Sequence, residues 1–310
     1  MRRTVLIFGM CLSVQASLLA AAEPAPAEVQ MTQATGIRGV IAANATLELV
    51  AEGFKGTEGV VGMPDGSVLF CEQNADRIIH LDLDGKSTLY LDKANRSIGL
   101  AIDRSGRLVS AQSQDPMVGT LAPRRAVLVA SFNAQPLVKP NDLVIDRKGG
   151  IYFTDPLPKP GFAFREPPPG RKPLLLYRSP GGKIFSLSDG VAEPNGIQLS
   201  PDEKTLYAVN GSHIDAFDIV APGVLARQRV FAEVAGDGLA VDNQGRLYAA
   251  TRTGVEVIGS NGRRLGHIAA PVRVQSVAFA GRDRRFLYAV GEGKVFRIRT
   301  LAPGVLTRWK

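Results

Sequence analysis

The chain has 310 residues, 45% of them hydrophobic and 21% charged, with a formal net charge of +8. That composition is globular and argues against disorder, and the length allows one large domain with a well-buried core. The basic residues are scattered over turns, as in Arg124-Arg125, Arg263-Arg264 and Arg282 to Arg285, and aromatics are only 6%. A nucleic-acid surface would gather them on one face among stacking rings, so no nucleic-acid partner is expected.

The N-terminus, "MRRTVLIFGMCLSVQASLLAAAEP", has two arginines, an apolar run, and small residues with Ala20 and Ala22 placed for an A-x-A cleavage. This is the pattern of a secretory signal peptide. We expect residues 1–22 to be removed and the mature chain to begin near Glu23, exported to the periplasm or the medium. The run is short for a membrane span, and no other segment approaches the roughly 20 apolar residues a span needs, so no stable insertion is expected. Cleavage removes Cys11 and leaves Cys71 alone, so an intramolecular disulfide is impossible despite the oxidising compartment. Residues 23–44 read as a linker, and 45–310 as the folded domain.

From Glu58 onward the chain repeats itself. The segments "EGVVGMPDGSVLFCE", "IGLAIDRSGRLVSAQ", "NDLVIDRKGGIYFTD", "NGIQLSPDEKTLYAVN", "DGLAVDNQGRLYAAT" and "SVAFAGRDRRFLYAVG" begin at Glu58, Ile98, Asn141, Asn195, Asp237 and Ser276. Each reads as a hairpin of two apolar runs about a turn. Gly66, Gly106, Gly149 and Gly245 fall eight residues after four of these starts; Glu203 and Arg284 hold that place in the other two. The starts lie 39 to 54 residues apart, and further strand candidates such as "RIIHLDL", "KIFSLS" and "KVFRIRT" fill the intervals. Repeats of that length built from short strands predict an all-β, six-bladed β-propeller with four-stranded blades. Helical periodicity is almost absent. "TLELVAEGF" (Thr46 to Phe54) precedes the first repeat and should pair into the last blade, leaving no long unpaired edge. The longest interval holds "PLPKPGFAFREPPPGRKP" after Asp155; its prolines forbid a regular strand and predict a long loop over 156–173.

In a propeller the innermost strands line a central channel, so the six starting residues form a ring at one mouth. Glu58, Asn141, Asn195 and Asp237 carry carboxylate or amide oxygens there, where packing alone would prefer Val, Ala or Ile, as at Ile98. Buried carboxylates are costly unless paired or metal-bound, and no complementary ring of Lys, Arg or His exists. Oxygen donors without Cys or His select Ca²⁺ or Mg²⁺. Four such ligands leave coordination positions for water and substrate. Antiparallel pairing sets a second tier beside the ring, at Glu72, Gln112, Asp155, Asn210 and Thr251. Asp155 stands next to Asn141, and His213 follows Asn210 closely enough to reach the mouth, although an ordinary loop histidine is the simpler account. Asn and Asp before a strand also make Asx-turns; four in register on one channel are poorly explained that way.

These residues resemble the gluconolactonase, senescence-marker-protein and luciferin-regenerating-enzyme family, and more distantly diisopropyl fluorophosphatase. The resemblance runs from about Leu47 onward and rests on "EG" at Glu58, "PND" at Asn141, "YFTDP" through Asp155, "PNG" at Asn195 and "DG" at Asp237. It implies a calcium-dependent lactonase, with Mg²⁺, Mn²⁺ or Zn²⁺ as other possible ions. Glu58, Asn195 and Asp237 would be metal ligands, Asn141 a fourth ligand or a substrate contact, and Asp237 the general base. Ile98 replaces an asparagine common in bacterial relatives, and Lys139 stands where some relatives have an arginine that contacts substrate.

The expected reaction is therefore metal-assisted opening of a sugar or related lactone, with Asp237 or Asp155 accepting a proton from water and Lys139, Gln112, Asn141 and His213 meeting the substrate. The expected protein is a monomer whose partner is that small molecule. A serine hydrolase is disfavoured: there is no G-x-S-x-G, and the histidines are only His80, His213 and His267. The alternative from another class is a binding propeller with a structural calcium ion, since fold alone does not fix function.

Overall fold

The structure is a computed structural model and describes residues 31–159, 164–306 and 310. The signal-peptide reading of 1–22 lies outside the described residues, as does 160–163 of the proline-rich loop.

Six antiparallel blade sheets follow one another along the chain, with a two-stranded hairpin of Ser131–Phe132 and Gln135–Pro136 between the second and third. Blade 1 comprises Thr57–Gly62, Val68–Glu72, Arg77–Leu81 and Ser87–Asp92. Blade 2 is Ser97–Ile102, Leu108–Gln112, Met117–Ala122 and Ala126–Val129. Blade 3 is Leu143–Ile145, Ile151–Asp155, Leu174–Arg178 and Ile184–Ser188, and blade 4 is Pro194–Leu199, Thr205–Asn210, His213–Ala221 and Val224–Ala232. Blade 5 is Leu239–Val241, Leu247–Thr251, Gly254–Ile258 and Arg264–Ala269. Blade 6 takes Ser276–Ala280, Phe286–Gly291 and Lys294–Arg299 from the C-terminal end and Thr46–Glu52 from the N-terminal end. Each first strand contacts those of the blades on either side, and blade 6 meets blade 1, so the ring is a closed six-bladed propeller.

Closure occurs where the sequence places it. Thr46–Glu52 pairs antiparallel with Lys294–Arg299 in the register Glu48↔Arg297 and Leu49↔Phe296. The Arg297 guanidinium reinforces the pairing through Glu48 at 2.8 Å. Within the stretch read as a linker, Met31–Gln33 pairs with Thr46–Glu48 as a fifth strand, and Ile37, Val40 and Ile41 are buried against blades 5 and 6.

The core is divided into wedges between neighbouring blades. Leu143 and Ile145 pack toward blade 2 with Val109 and Val118, while Val144, between them, packs toward blade 4 with Ile197 and Leu199. Leu239 and Val241 likewise face blade 4, and Ala240 faces blade 6. Strands buried on both faces read as continuous apolar runs rather than alternating ones, which is why "LVI" and "LAV" carry no polar partner. The outermost strand Ser87–Asp92, by contrast, is almost wholly exposed.

The turns between first and second strands share one device. In blade 3, Asp146 Oδ1 accepts the N–H groups of Lys148 and Gly150, each at 2.8 Å, and Gly149 takes φ 87°. The residue eight places after each repeat start is left-handed in all six blades, including Glu203 at φ 59° and Arg284 at φ 54°. Among the described residues no helix is long and apolar enough to cross a membrane.

Candidate functional site

The channel mouth is a narrow cavity of about 10 Å³ lined by Glu58, Ile98, Asn141, Asn195, Asp237 and Ser276, together with Asp142 and Gln275. All six starting residues of the repeats therefore meet at one place. The glycines that follow them explain how closely. A Cβ on Gly59 would collide with the Ile98 carbonyl oxygen, and one on Gly196 with that of Asp237. Gly99 and Gly238 are crowded in the same way by Asn141 with Asp142 and by Gln275 with Ser276. The "EG", "NG" and "DG" pairs thus act in two ways: the first residue supplies an oxygen, and the second lets the next blade's backbone approach.

Blade 3 breaks this pattern with Asp142. Its Oδ1 accepts the N–H of Leu143 at 2.9 Å, and its Oδ2 accepts that of Ile197 at 2.9 Å. The ammonium of Lys310, buried within the propeller, pairs with the same Oδ2 and donates to the Ile197 carbonyl at 3.2 Å. A third carboxylate beneath the mouth is thereby neutralised by a cation of its own.

The two mouth carboxylates are less well balanced. Burial, with Asp237 beside it, pushes Glu58 up to about 8, although the Gln275 amide opposes the shift by donating to Glu58 Oε1 at 2.6 Å. Burial also raises Asp237, against the pull of Arg273, whose Nη2 donates to Oδ2 at 2.6 Å, and of a hydrogen bond from Asn195. Burial lowers the ammonium of Lys139, which the charges of Glu58 and Asp237 support in its protonated form. Lys139 therefore belongs to the electrostatic surroundings of the mouth.

The other sequence-predicted residues lie elsewhere. Asp155 is not among the residues lining the mouth. Its buried carboxylate accepts the N–H groups of Val138 at 3.1 Å and Lys139 at 2.7 Å and pairs with the buried guanidinium of Arg171. Gln112 accepts from Asn95 Nδ2 at 2.9 Å and lines a separate groove of about 540 Å³ with Lys93, Asp115 and Arg125. His213 sits 3.4 Å from Asp215. Glu72 accepts the N–H of Lys55 at 2.9 Å, and Asn210 accepts those of Ala192 at 3.0 Å and Glu193 at 3.1 Å. Glu72, Asp155 and Asn210, each at the end of a second strand, thus hold the backbone that leads into a first strand. Within the proline-rich loop, Phe164 lies under the Arg96 guanidinium, 5.7 Å from ring centroid to Cζ.

Sequence reasoning missed Asp142, Arg273, Gln275 and Lys310. Asp142 had a signal, because it stands where four repeats have glycine. Arg273 and Gln275 lie in the connection before the sixth repeat and have no counterpart to compare.

Fold and site together define a six-bladed propeller with an oxygen-rich pocket at one end of its channel. The SMP-30/Gluconolactonase/LRE-like region profile matches residues 56–290, and the chain belongs to that family. A gluconolactonase of Zymomonas mobilis is 25% identical over 299 positions, covering 82% of this chain and 81% of the relative. The lactonase drp35 of Staphylococcus saprophyticus is 28% identical over 256 positions, covering 76% of each. Among solved structures, a Xanthomonas campestris gluconolactonase superposes with a TM-score of 0.80 at 27% identity, covering 91% of this chain and 99% of the other.

Proposed function

We propose that this protein is an exported, divalent-metal-dependent lactonase whose site is the channel mouth. The gluconolactonase and lactonase relatives support a hydrolase acting on lactones. The observation that carries the metal dependence is the crowding of Glu58 and Asp237 in one small cavity with Asn141 and Asn195. Two partly desolvated carboxylates repel each other unless protonated or bridged by a cation. Arg273 meets Asp237, and Glu58 receives only a neutral amide, so displacing the Glu58 proton leaves the pair with negative charge for a hard ion. The donor set fits Ca²⁺ best, since all its atoms are oxygen. Glu58, Asn195 and Asp237 would hold the ion, with Asn141 as a fourth ligand or a contact to substrate.

A divalent ion bound there supplies Lewis-acid polarisation of the lactone carbonyl. The remaining steps fall to side chains. Asp237 lies in the mouth among the oxygen donors and would accept a proton from the attacking water. Water oxygen bonds to the acyl carbon, the ring C–O bond breaks, and the departing alkoxide takes the proton back, leaving a hydroxy acid. Lys139 offers hydrogen bonds to substrate hydroxyls at the rim. Asp155 orients Lys139 by holding its backbone. A serine route has little support: Ser67 has His80 at 2.9 Å, but the hydroxyl is buried, donates to Asp65 and lies at the other end of blade 1.

The test is a lactone panel followed by acid release, with EDTA and with calcium restored. Loss and recovery of turnover are expected, and Asp237→Ala should abolish turnover while the propeller stays folded. A protein that binds metal yet is inert on every lactone would instead be a binding propeller. Export predicts a mature N-terminus near Glu23, read by mass spectrometry of the secreted or periplasmic protein.

A further inference from the structure

The connection between blades 5 and 6 reaches both carboxylates of the mouth. Arg273 Nη2 donates to Asp237 Oδ2 at 2.6 Å, and two residues later Gln275 Nε2 donates to Glu58 Oε1 at 2.6 Å. The intervening Val274 is buried in the core. The amide of Gln275 is oriented by its own oxygen, which accepts the Glu292 N–H at 3.4 Å. Backbone bonds pin the segment on three sides: Val274 N–H to Thr251 O at 2.9 Å, Gln275 N–H to Val290 O at 2.8 Å, and Gly238 N–H to Gln275 O at 2.9 Å. Gly291 packs so closely on the Arg273 carbonyl that a Cβ would collide with it. The backbone of the connection is held in place at each of these residues.

We infer that Arg273 and Gln275 are the positioning residues of the carboxylate pair, each holding one carboxylate oxygen from behind and leaving Glu58 Oε2 turned to a cation. The inference rests on the metal-site reading above. Glu58 Oε2 has no partner among the described residues, so only Gln275 and the backbone fix that side chain. Without these two donors, mutually repelling carboxylates must be gathered by the ion itself, which weakens its binding. Groups that orient metal ligands from behind are typically worth about 10–100-fold in affinity.

The experiment uses the full chain, stripped of metal by chelation and titrated calorimetrically with CaCl₂. Gln275→Met removes a donor without changing charge, so electrostatics alone leaves affinity unchanged while positioning lowers it about 10–100-fold. Arg273→Met gives opposite signs for the two accounts. Losing a cation tightens calcium binding if Arg273 acts only as a charge, whereas losing the clamp weakens it. Weaker binding in both variants is expected, with the melting temperature of metal-free Gln275→Met unchanged and kcat on glucono-1,5-lactone recovered at saturating calcium. Binding within twofold of the parent in Gln275→Met, or tighter binding in Arg273→Met, overturns the inference while leaving the metal site standing. Should Gln275→Met fail to fold, the half-exposed Arg273 still decides the matter. If the parent protein binds none of Ca²⁺, Mg²⁺, Mn²⁺ and Zn²⁺, the metal-site reading falls and the inference falls with it.

Discussion

Glu58 and Asp237 carry a consequence for pH. An unfolded glutamate titrates near 4.5, while burial and Asp237 hold folded Glu58 near 8. Between those values the folded chain keeps a proton that the unfolded chain has released. Stability of the metal-free protein is therefore fully present below about 4.5 and falls as pH rises toward 8. A divalent cation competes with that proton, so its stabilising effect grows over the same window. Melting curves in EDTA and in calcium should diverge as pH increases, and Glu58→Gln should remove the divergence; parallel curves in the parent would contradict the assignment. Asp155 gives a second test. Asp155→Ala leaves the Arg171 guanidinium buried without its carboxylate, which costs about 3–5 kcal/mol in urea unfolding, and it frees the backbone of Lys139, which raises KM. A variant of unchanged stability that loses kcat alone would instead make Asp155 a chemical group. Both carboxylates of the mouth were legible because register across six repeats is visible in one chain. Asp155 was legible as a polar strand end, but not as the partner of Arg171, which lies in an irregular loop.

At the scale of the strand and turn, repetition carries the information. The position eight residues into each repeat is left-handed even where Glu203 and Arg284 replace glycine, so the turn geometry outranks the local preference. What the apolar runs did not reveal is which face meets which neighbour, because strands such as Leu143–Ile145 are buried on both. Two glycines separate turn geometry from blade packing. Gly149 has φ 87° and open space about its Cβ position, so Gly149→Ala costs about 1–2 kcal/mol of left-handed strain and leaves turnover intact. A Cβ on Gly196 strikes the Asp237 carbonyl oxygen, so Gly196→Ala must displace the backbone that carries the proposed base. Its expected overpacking cost is similar, about 1–3 kcal/mol, but turnover should fall by at least an order of magnitude. Paired unfolding and kinetic measurements distinguish the two; equal loss of turnover in both variants would mean that the close blade contact does not set the site.

For the whole molecule, the decisive contact joins chain segments 249 residues apart, where Arg297 meets Glu48 across the closing strand. Blade 6 cannot be completed until both ends of the domain are present, and without Thr46–Glu52 the edge Lys294–Arg299 is left unpaired. Closure also reaches the site. Thr57, next to Glu58, donates through Oγ1 to the Lys294 carbonyl at 3.2 Å and accepts the Gly293 N–H at 3.2 Å. The last strand of the ring therefore holds the first residue of the mouth. A chain beginning at Met31 keeps both added strands and should unfold and turn over like the mature protein. One beginning at Phe54 loses the burial of Leu47 and Leu49, about 1.5–3 kcal/mol each, and leaves unpaired the outer side of the strand whose Lys294 braces Thr57 behind Glu58. It should unfold at lower urea, associate through its open edge in size-exclusion chromatography, and bind calcium more weakly than the longer chain. Equal calcium affinity in the two chains would show that the mouth is set by its own blades and does not depend on closing the ring.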